Sequence, residues 1–97
     1  METLEFSYPG TRVVPRRAHV GVVGSGDLEV LLEPASEAGA RILVRTSVDG
    51  YGSVWKLVLD RFFARHAVTA TVEINDFGAT PGVVALRLAQ ALELGGS

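Results

Sequence analysis

Three stretches of this sequence change side-chain character residue by residue, and a period of two commits each to a strand with one buried face. Thr3 to Tyr8 sets Leu4, Phe6 and Tyr8 against Thr3, Glu5 and Ser7. Arg41 to Val48 sets Ile42, Val44 and Thr46 against Arg41, Leu43 and Arg45. Thr69 to Asn75 sets Ala70, Val72 and Ile74 against Thr71, Glu73 and Asn75. Two apolar runs, Ala18 to Val23 and Leu28 to Glu33, flank the polar break Gly24-Ser25-Gly26-Asp27. That pattern predicts a β-hairpin whose tip faces solvent. Pro9-Gly10 ends the first strand, Thr11 to Arg17 reads as a loop, and Pro34 to Gly39 is a turn-rich connection.

Two segments switch to helical period. After the turn Asp49-Gly50-Tyr51-Gly52, Ser53 is a candidate N-cap for a helix from Val54 to about Arg65. Its apolar stripe is Val54, Trp55, Val58, Leu59 and Phe62, with Lys56 and Asp60 opposite and spaced to pair at i,i+4. Asp76-Phe77-Gly78-Ala79 breaks the last strand, and Thr80 as N-cap with Pro81 at the first position opens a second helix. Its stripe is Val84, Leu88, Ala91 and Leu92, and Gly95-Gly96 ends it. The order β-β-β-β-α-β-α predicts one α+β domain over residues 1–97. The expected architecture has two layers: a mostly antiparallel sheet of about five strands, with two amphipathic helices on one face.

Composition narrows what such a domain can do. A chain of 97 residues buries roughly 65% of its unfolded surface, enough for one core with little room for a deep pocket. A formal net charge of −2 leaves no electrostatic footprint for nucleic acid, whose binding rests on many phosphate contacts. The absence of cysteine removes disulfides, a thiolate nucleophile and cysteine-ligated zinc. Any thioester carried here must take its sulfur from a cofactor. Met1-Glu2-Thr3-Leu4-Glu5-Phe6 lacks the basic start and apolar stretch of a signal peptide. No apolar run approaches the ~20 residues of a membrane span. A soluble, cytoplasmic protein without membrane contacts is the expectation.

Ser25 is the outstanding candidate for chemistry. Gly24 and Gly26 place its hydroxyl where an outside enzyme can reach it. On composition alone, Gly-Ser-Gly-Asp is also ordinary turn chemistry. The neighbouring glycines do not make a dinucleotide fingerprint, because their spacing is wrong and no helix follows before Pro34. No Lys-Ser or Lys-Thr completes a phosphate loop, and Val23 occupies the place where a nucleophile elbow requires glycine. His19 and His66 lack metal-ligand spacing and have no obvious acid nearby, so they read as surface or strand-edge residues. Asp49, Asp60 and Asp76 each fit a turn, a helix pair or a loop cap. Arg12, Arg16 and Arg17 read as a solvated loop, with a phosphate or a partner's acidic patch as the alternative, and Trp55 as core. No catalytic residue and no metal site is expected.

The stretch Val23-Gly24-Ser25-Gly26-Asp27-Leu28-Glu29-Val30-Leu31-Leu32-Glu33-Pro34 closely resembles the acyl carrier (δ) subunits of malonate decarboxylases. Asp76-Phe77-Gly78-Ala79-Thr80-Pro81-Gly82-Val83-Val84 and Thr46-Ser47-Val48-Asp49-Gly50 resemble the same family, as does the opening Met1-Glu2-Thr3-Leu4. The resemblance implies that Ser25 bears a 2′-(5″-phosphoribosyl)-3′-dephospho-coenzyme A group through a phosphodiester, as in the related carrier of citrate lyase. Gly24, Gly26 and Asp27 would shape the turn around that attachment. Ordinary acyl carriers are helical bundles with Asp-Ser-Leu at a helix start, and this chain has no Asp-Ser-Leu.

The implied partners are acyl-transferase and decarboxylase subunits, a prosthetic-group transferase and a malonyl transferase. The implied role has a physical logic. Free malonate resists losing CO₂, whereas a malonyl thioester places the developing charge on an enolate oxygen that preorganised donors can stabilise. A tethered arm also keeps the intermediate at high effective concentration. This subunit would carry without catalysing. The competing reading is an unmodified docking subunit of a larger cytoplasmic complex. A stand-alone hydrolase would need a base beside Ser25 that the sequence does not offer.

Overall fold

The alternating segment from Thr69 to Asn75 lies at the centre of the sheet, within its longest strand. The computed structural model describes residues 1–97. Its elements are β1 (Glu2–Tyr8), β2 (Arg12–Val13), β3 (Ala18–Gly21), β4 (Leu28–Pro34), β5 (Ala40–Thr46), α1 (Gly52–Arg65), β6 (Val68–Asp76) and α2 (Pro81–Leu94). The sheet runs β1-β5-β6-β4-β3, with β2 pairing to β6 off this path. β1·β5, β3·β4 and β4·β6 are antiparallel, whereas β5·β6 and β2·β6 are parallel. The fold is therefore α+β with a mostly antiparallel sheet, as expected. The parallel pair exists because α1 carries the chain from the end of β5 back to the start of β6, the crossover that parallel strands require.

Strand register turns the alternation into a core. Leu4, Val44, Ile74, Val30 and Val20 form one row across the sheet, and Phe6, Ile42, Val72, Leu32 and Ala18 form the next. These rows face the helices, which bury Trp55, Leu59, Phe62 and Phe63 of α1 and Val84, Leu88, Ala91 and Leu92 of α2 against them. The opposite face is mostly polar, and many of its polar side chains pair with one another. There Arg17 meets Glu33, His19 meets Glu29, Asn75 donates to Glu29, Arg45 meets Glu73, and Arg41 meets Glu37. One face dry and one face wet is the ordinary solution for an antiparallel sheet.

The structure departs from the sequence reading in four places. Thr11 to Arg17 is not all loop. Arg12 and Val13 pair with Val68 and Thr69, and Val14 is fully buried. That segment covers the first residues of β6, which project past the register of β4 and β5. The third strand stops at Gly21 rather than Val23, because Gly21 turns out of the extended region at φ +89; it is a glycine there since a Cβ would lie 1.9 Å from the Leu28 carbonyl oxygen. Val22 and Val23 are consequently exposed.

Helix α1 begins at Gly52 with Tyr51 at the N-cap and no side-chain cap, so Ser53 lies inside the first turn. Its stripe is also rotated, with Phe63 buried and Val54 exposed. The strand order, which the sequence leaves open, places β6 between the strands on either side of the Pro34–Gly39 connection. Other local signals hold: Thr80 Oγ1 accepts from Val83 N, Pro81 sits at the helix start, and Lys56 reaches Asp60. Asp60 also accepts a 2.7 Å hydrogen bond from the Tyr8 hydroxyl, tying α1 to β1. Burial, and then Asp60 itself, push the Tyr8 hydroxyl well above the usual phenol range, so it stays protonated as a donor.

Ile74 sits in the middle of the central row and is completely buried. Ile74→Ala is expected to cost about 2–5 kcal/mol, and Ile74→Val about 0.5–1.5 kcal/mol, because the packed rows close only partly around a void. Urea denaturation of the two variants checks the ordering.

Candidate functional site

The break between β3 and β4 folds as a four-residue turn held from beneath. Asp27 N donates to the Gly24 carbonyl at 3.1 Å, which places Ser25 and Gly26 at the two central positions. Gly26 has φ +76, the left-handed conformation that a type II-like turn demands of its second central residue. Ser25 is exposed, and Cβ atoms built on Gly24 and Gly26 would meet nothing within 4 Å. The hydroxyl therefore stands in open space on both flanks. The glycine at 26 is needed for its backbone angle rather than for room.

Two rigid elements fix this turn. The first is the loop after β6, where Gly26 N donates to Phe77 O at 2.8 Å and Phe77 N donates to Asp27 O at 2.9 Å. That loop is itself anchored by Asp76, which is nearly fully buried. Its carboxylate accepts from the Thr46 hydroxyl at 2.8 Å and from Ala79 N at 3.0 Å. Thr46 in turn accepts from Val48 N at 3.1 Å, so the ends of β5 and β6 and the entry to α2 form one hydrogen-bonded unit.

The second element is α2. The Arg87 guanidinium grips Asp27 with two donors, Nη2 to Oδ2 at 2.9 Å and Nε to Oδ1 at 3.2 Å. Its Nη1 donates to Gln90 Oε1 at 3.1 Å. Asp27 Oδ1 also accepts from Leu28 N at 2.7 Å. The hydrogen bonds from Arg87, and then the Leu28 amide, hold the Asp27 carboxyl below the usual carboxylate range. Asp27 raises the Arg87 guanidinium in return. Such a planar two-point grip fixes orientation as well as distance.

Asp27 thus orders the turn, as the sequence suggests, but its partner was not foreseen. Arg87 lies 60 residues away. The one available hint is that α2 is otherwise almost uncharged, having only Glu93 besides Arg87. Asp76 proves to be a loop cap, Asp60 a helix pair, and Asp49 meets the amino terminus at 3.2 Å. His19 does have an acid beside it, since the β3·β4 register brings Glu29 Oε2 to 3.0 Å from its Nε2. His66 closes α1 and stacks on Phe62 with ring centroids 4.4 Å apart. Burial, and then Arg12 and Arg65, lower its pKa. Both histidines are engaged elsewhere, so neither serves Ser25 as a base. Trp55 is buried, as expected of core.

Comparison with known proteins adds identity to this geometry. The family described as malonate decarboxylase delta subunit matches residues 15–94. The chain belongs to that family. It is 55% identical over 97 residues to the malonate decarboxylase acyl carrier protein of Pseudomonas aeruginosa strain UCBPP-PA14, covering 99% of this chain and 98% of that one. It is 54% identical over 94 residues to the Azotobacter vinelandii protein of the same description, covering 96% and 95%. Among solved structures, a chain of a Pseudomonas malonate decarboxylase hetero-tetramer in complex with malonate superposes with a TM-score of 0.94 at 49% identity, covering 99% of this chain and 100% of that one.

In this member of the δ-subunit family the turn's tie to α2 is one ion pair that a single substitution can open. Arg87→Met is expected to leave the sheet and helices intact and to speed amide hydrogen exchange at Asp27 and Leu28. Exchange in β6 should stay at the wild-type rate, and hydrogen-exchange mass spectrometry reads both. The pair also carries a pH signature. The folded pKa of Asp27 lies below its ordinary value, so the unfolded chain takes up the proton first as pH falls. Its stabilisation is complete above about pH 4 and is lost as pH drops through the folded pKa. A pH titration of thermal stability should show this loss in the wild type and a smaller one in Arg87→Met, where the Leu28 amide alone still favours the carboxylate.

Proposed function

We propose that this chain is the acyl carrier of a malonate decarboxylase and that Ser25 is where its prosthetic group is attached. The observation that carries this reading is the presented hydroxyl. A primary alcohol stands exposed on a turn that is itself fixed, and no side chain beside it is placed to activate it. Such a group is poorly equipped as a nucleophile of its own and well placed as a substrate of another enzyme. Family membership supports the same conclusion, since the relatives described above bear the name acyl carrier protein.

A 2′-(5″-phosphoribosyl)-3′-dephospho-coenzyme A arm fits the residues present. The open flanks at Gly24 and Gly26 leave space for a bulky phosphodiester. The chain has no cysteine, so it needs an external thiol if it is to carry acyl groups. When bound, the group supplies that thiol, on which acetyl and malonyl are held. Ser25 anchors the arm, Gly26 supplies the turn's backbone angle, and Asp27 with Arg87 keeps the anchor in one orientation. Catalysis belongs to partner subunits: an acyl transferase, a decarboxylase and, for maturation, the prosthetic-group and malonyl transferases. Val22 and Val23, exposed beside the turn, give those partners apolar surface to cover. No helix is long and apolar enough to cross a membrane, and we place the complex in the cytoplasm.

Intact-mass analysis of the chain produced together with its complex and maturation enzymes tests the attachment, with peptide mapping across Ser25. An added phosphoribosyl-dephospho-coenzyme A on Ser25 is expected. An unmodified mass, with those enzymes active on a known carrier, would leave a docking subunit. Ser25→Ala should fold normally and abolish malonate decarboxylation in a reconstituted complex; retained turnover overturns the assignment. Gly26→Val forces a β-branched residue to positive φ, a strain of about 1–2 kcal/mol or more, and should slow modification while Ser25 remains present. Mass spectrometry over a time course reads that rate.

A further inference from the structure

An apolar cleft opens at the same end of the domain as Ser25. It lies between the first turns of α1 and α2, over the ends of β5 and β6, and has a volume of about 330 Å³. Val54, Trp55 and Val58 form one wall, Ala79 and Val84 the other, and Asp76 lies at the floor. Both carboxylate oxygens of Asp76 are already engaged, by the Thr46 hydroxyl and by Ala79 N, so the floor offers neither a free base nor a cation site. The lining suits an uncharged, largely aliphatic ligand. The volume is at the small end for binding pockets, enough for a segment of a flexible molecule.

The cleft shares a loop with the attachment turn. Gly78 forms part of its rim, and a Cβ on Gly78 would lie 3.9 Å from Gly26 N. The neighbouring residue, Phe77, exchanges two backbone hydrogen bonds with that turn. A group anchored on Ser25 therefore starts at the edge of the cleft. We infer that this cleft is the resting seat of the arm's thiol-bearing, pantetheine-like end. The inference rests on the assignment of Ser25 as the anchor.

The chemistry agrees segment by segment. That end of a coenzyme A-derived arm is uncharged, with a gem-dimethyl group, methylenes and two amides. The phosphates remain near the turn, outside the apolar walls. Tethering also removes the need for tight binding. A flexible arm anchored beside a site sees it at an effective concentration on the order of 1 mM, provided its length spans the distance. A seat with a dissociation constant of the same order is then filled about half the time. Half-occupancy shields the thiol yet releases it readily to a partner's active site.

The missing cysteine makes the test clean, because the arm's thiol is the one thiol in the loaded chain. Its rate of reaction with a soluble aromatic disulfide measures how often it is free. The blocking variant is Val54→Asp, which puts a charge at the cleft mouth on an exposed first-turn position where acidic residues suit the helix. With both proteins shown by mass to be fully loaded, the Val54→Asp thiol should react about twofold faster than the wild type, the ratio that half-occupancy implies. Attachment to the wild type should also shift the NMR signals of the Trp55 indole and the Val58 methyls, and attachment to Val54→Asp should not. Equal thiol rates, or shifts confined to residues 24–27 and 77–78, overturn the inference while leaving Ser25 as the anchor. Absence of any added mass overturns both.

Discussion

Everything in this domain is built around the pairing of β6. It is hydrogen-bonded to β4 on one edge and β5 on the other, and its inward residues Val68, Ala70, Val72 and Ile74 are essentially inaccessible. A strand so enclosed cannot slip, since a shift of one residue would turn Glu73 and Asn75 into the core. Its end is equally determined. Asp76 falls on an inward position of the last row, where an unpaired carboxylate would be expensive, and Thr46 and Ala79 N satisfy it there. The fixed register of β6 thus sets the position of residue 77, and residue 77 sets the position of the turn bearing Ser25.

Ser25 gains its placement from this hierarchy and from α2 together. The hairpin strands alone would leave a six-residue tip free to sway, because β3 pairing ends at Gly21. Backbone bonds to Phe77 hold the tip toward the sheet, and the Asp27–Arg87 grip holds it toward the helix layer. The turn therefore bridges the two layers of the fold at one end. The hydroxyl is exposed although the backbone beneath it is over-determined, a combination expected where another protein must find a group in a single orientation.

Much of this was legible in the residues. Period-two alternation located β1, β5 and β6 with the correct inward faces, and Thr80-Pro81 marked the start of α2. The helical stripe Val84, Leu88, Ala91 and Leu92 is buried as read. The Gly-Ser-Gly-Asp break was visible as an exposed tip. What could not be read was long-range. Local pattern does not say that β6 inserts between β4 and β5, since the pairing of strands separated by a helix is decided by layer packing. β2 is two residues long and has no period to detect. Arg87 carries no local mark of a partner 60 residues away. The shift of the α1 stripe toward Phe63 follows from Tyr8, whose ring stacks on Phe63 at 5.0 Å and draws that side of the helix inward.

The wet face of the sheet has a consequence for assembly. Three oppositely charged pairs sit on it, Arg17 with Glu33, Arg41 with Glu37 and Arg45 with Glu73, while Glu5 stands exposed on the same face outside any ion pair. Neighbouring opposite charges behave as small dipoles, whose fields fade faster with distance than that of a lone charge. The three pairs therefore add little long-range attraction to an approaching protein. What net field the face projects comes from carboxylates outside those pairs, such as Glu5, and is weakly negative, so it favours a neighbour with a basic surface.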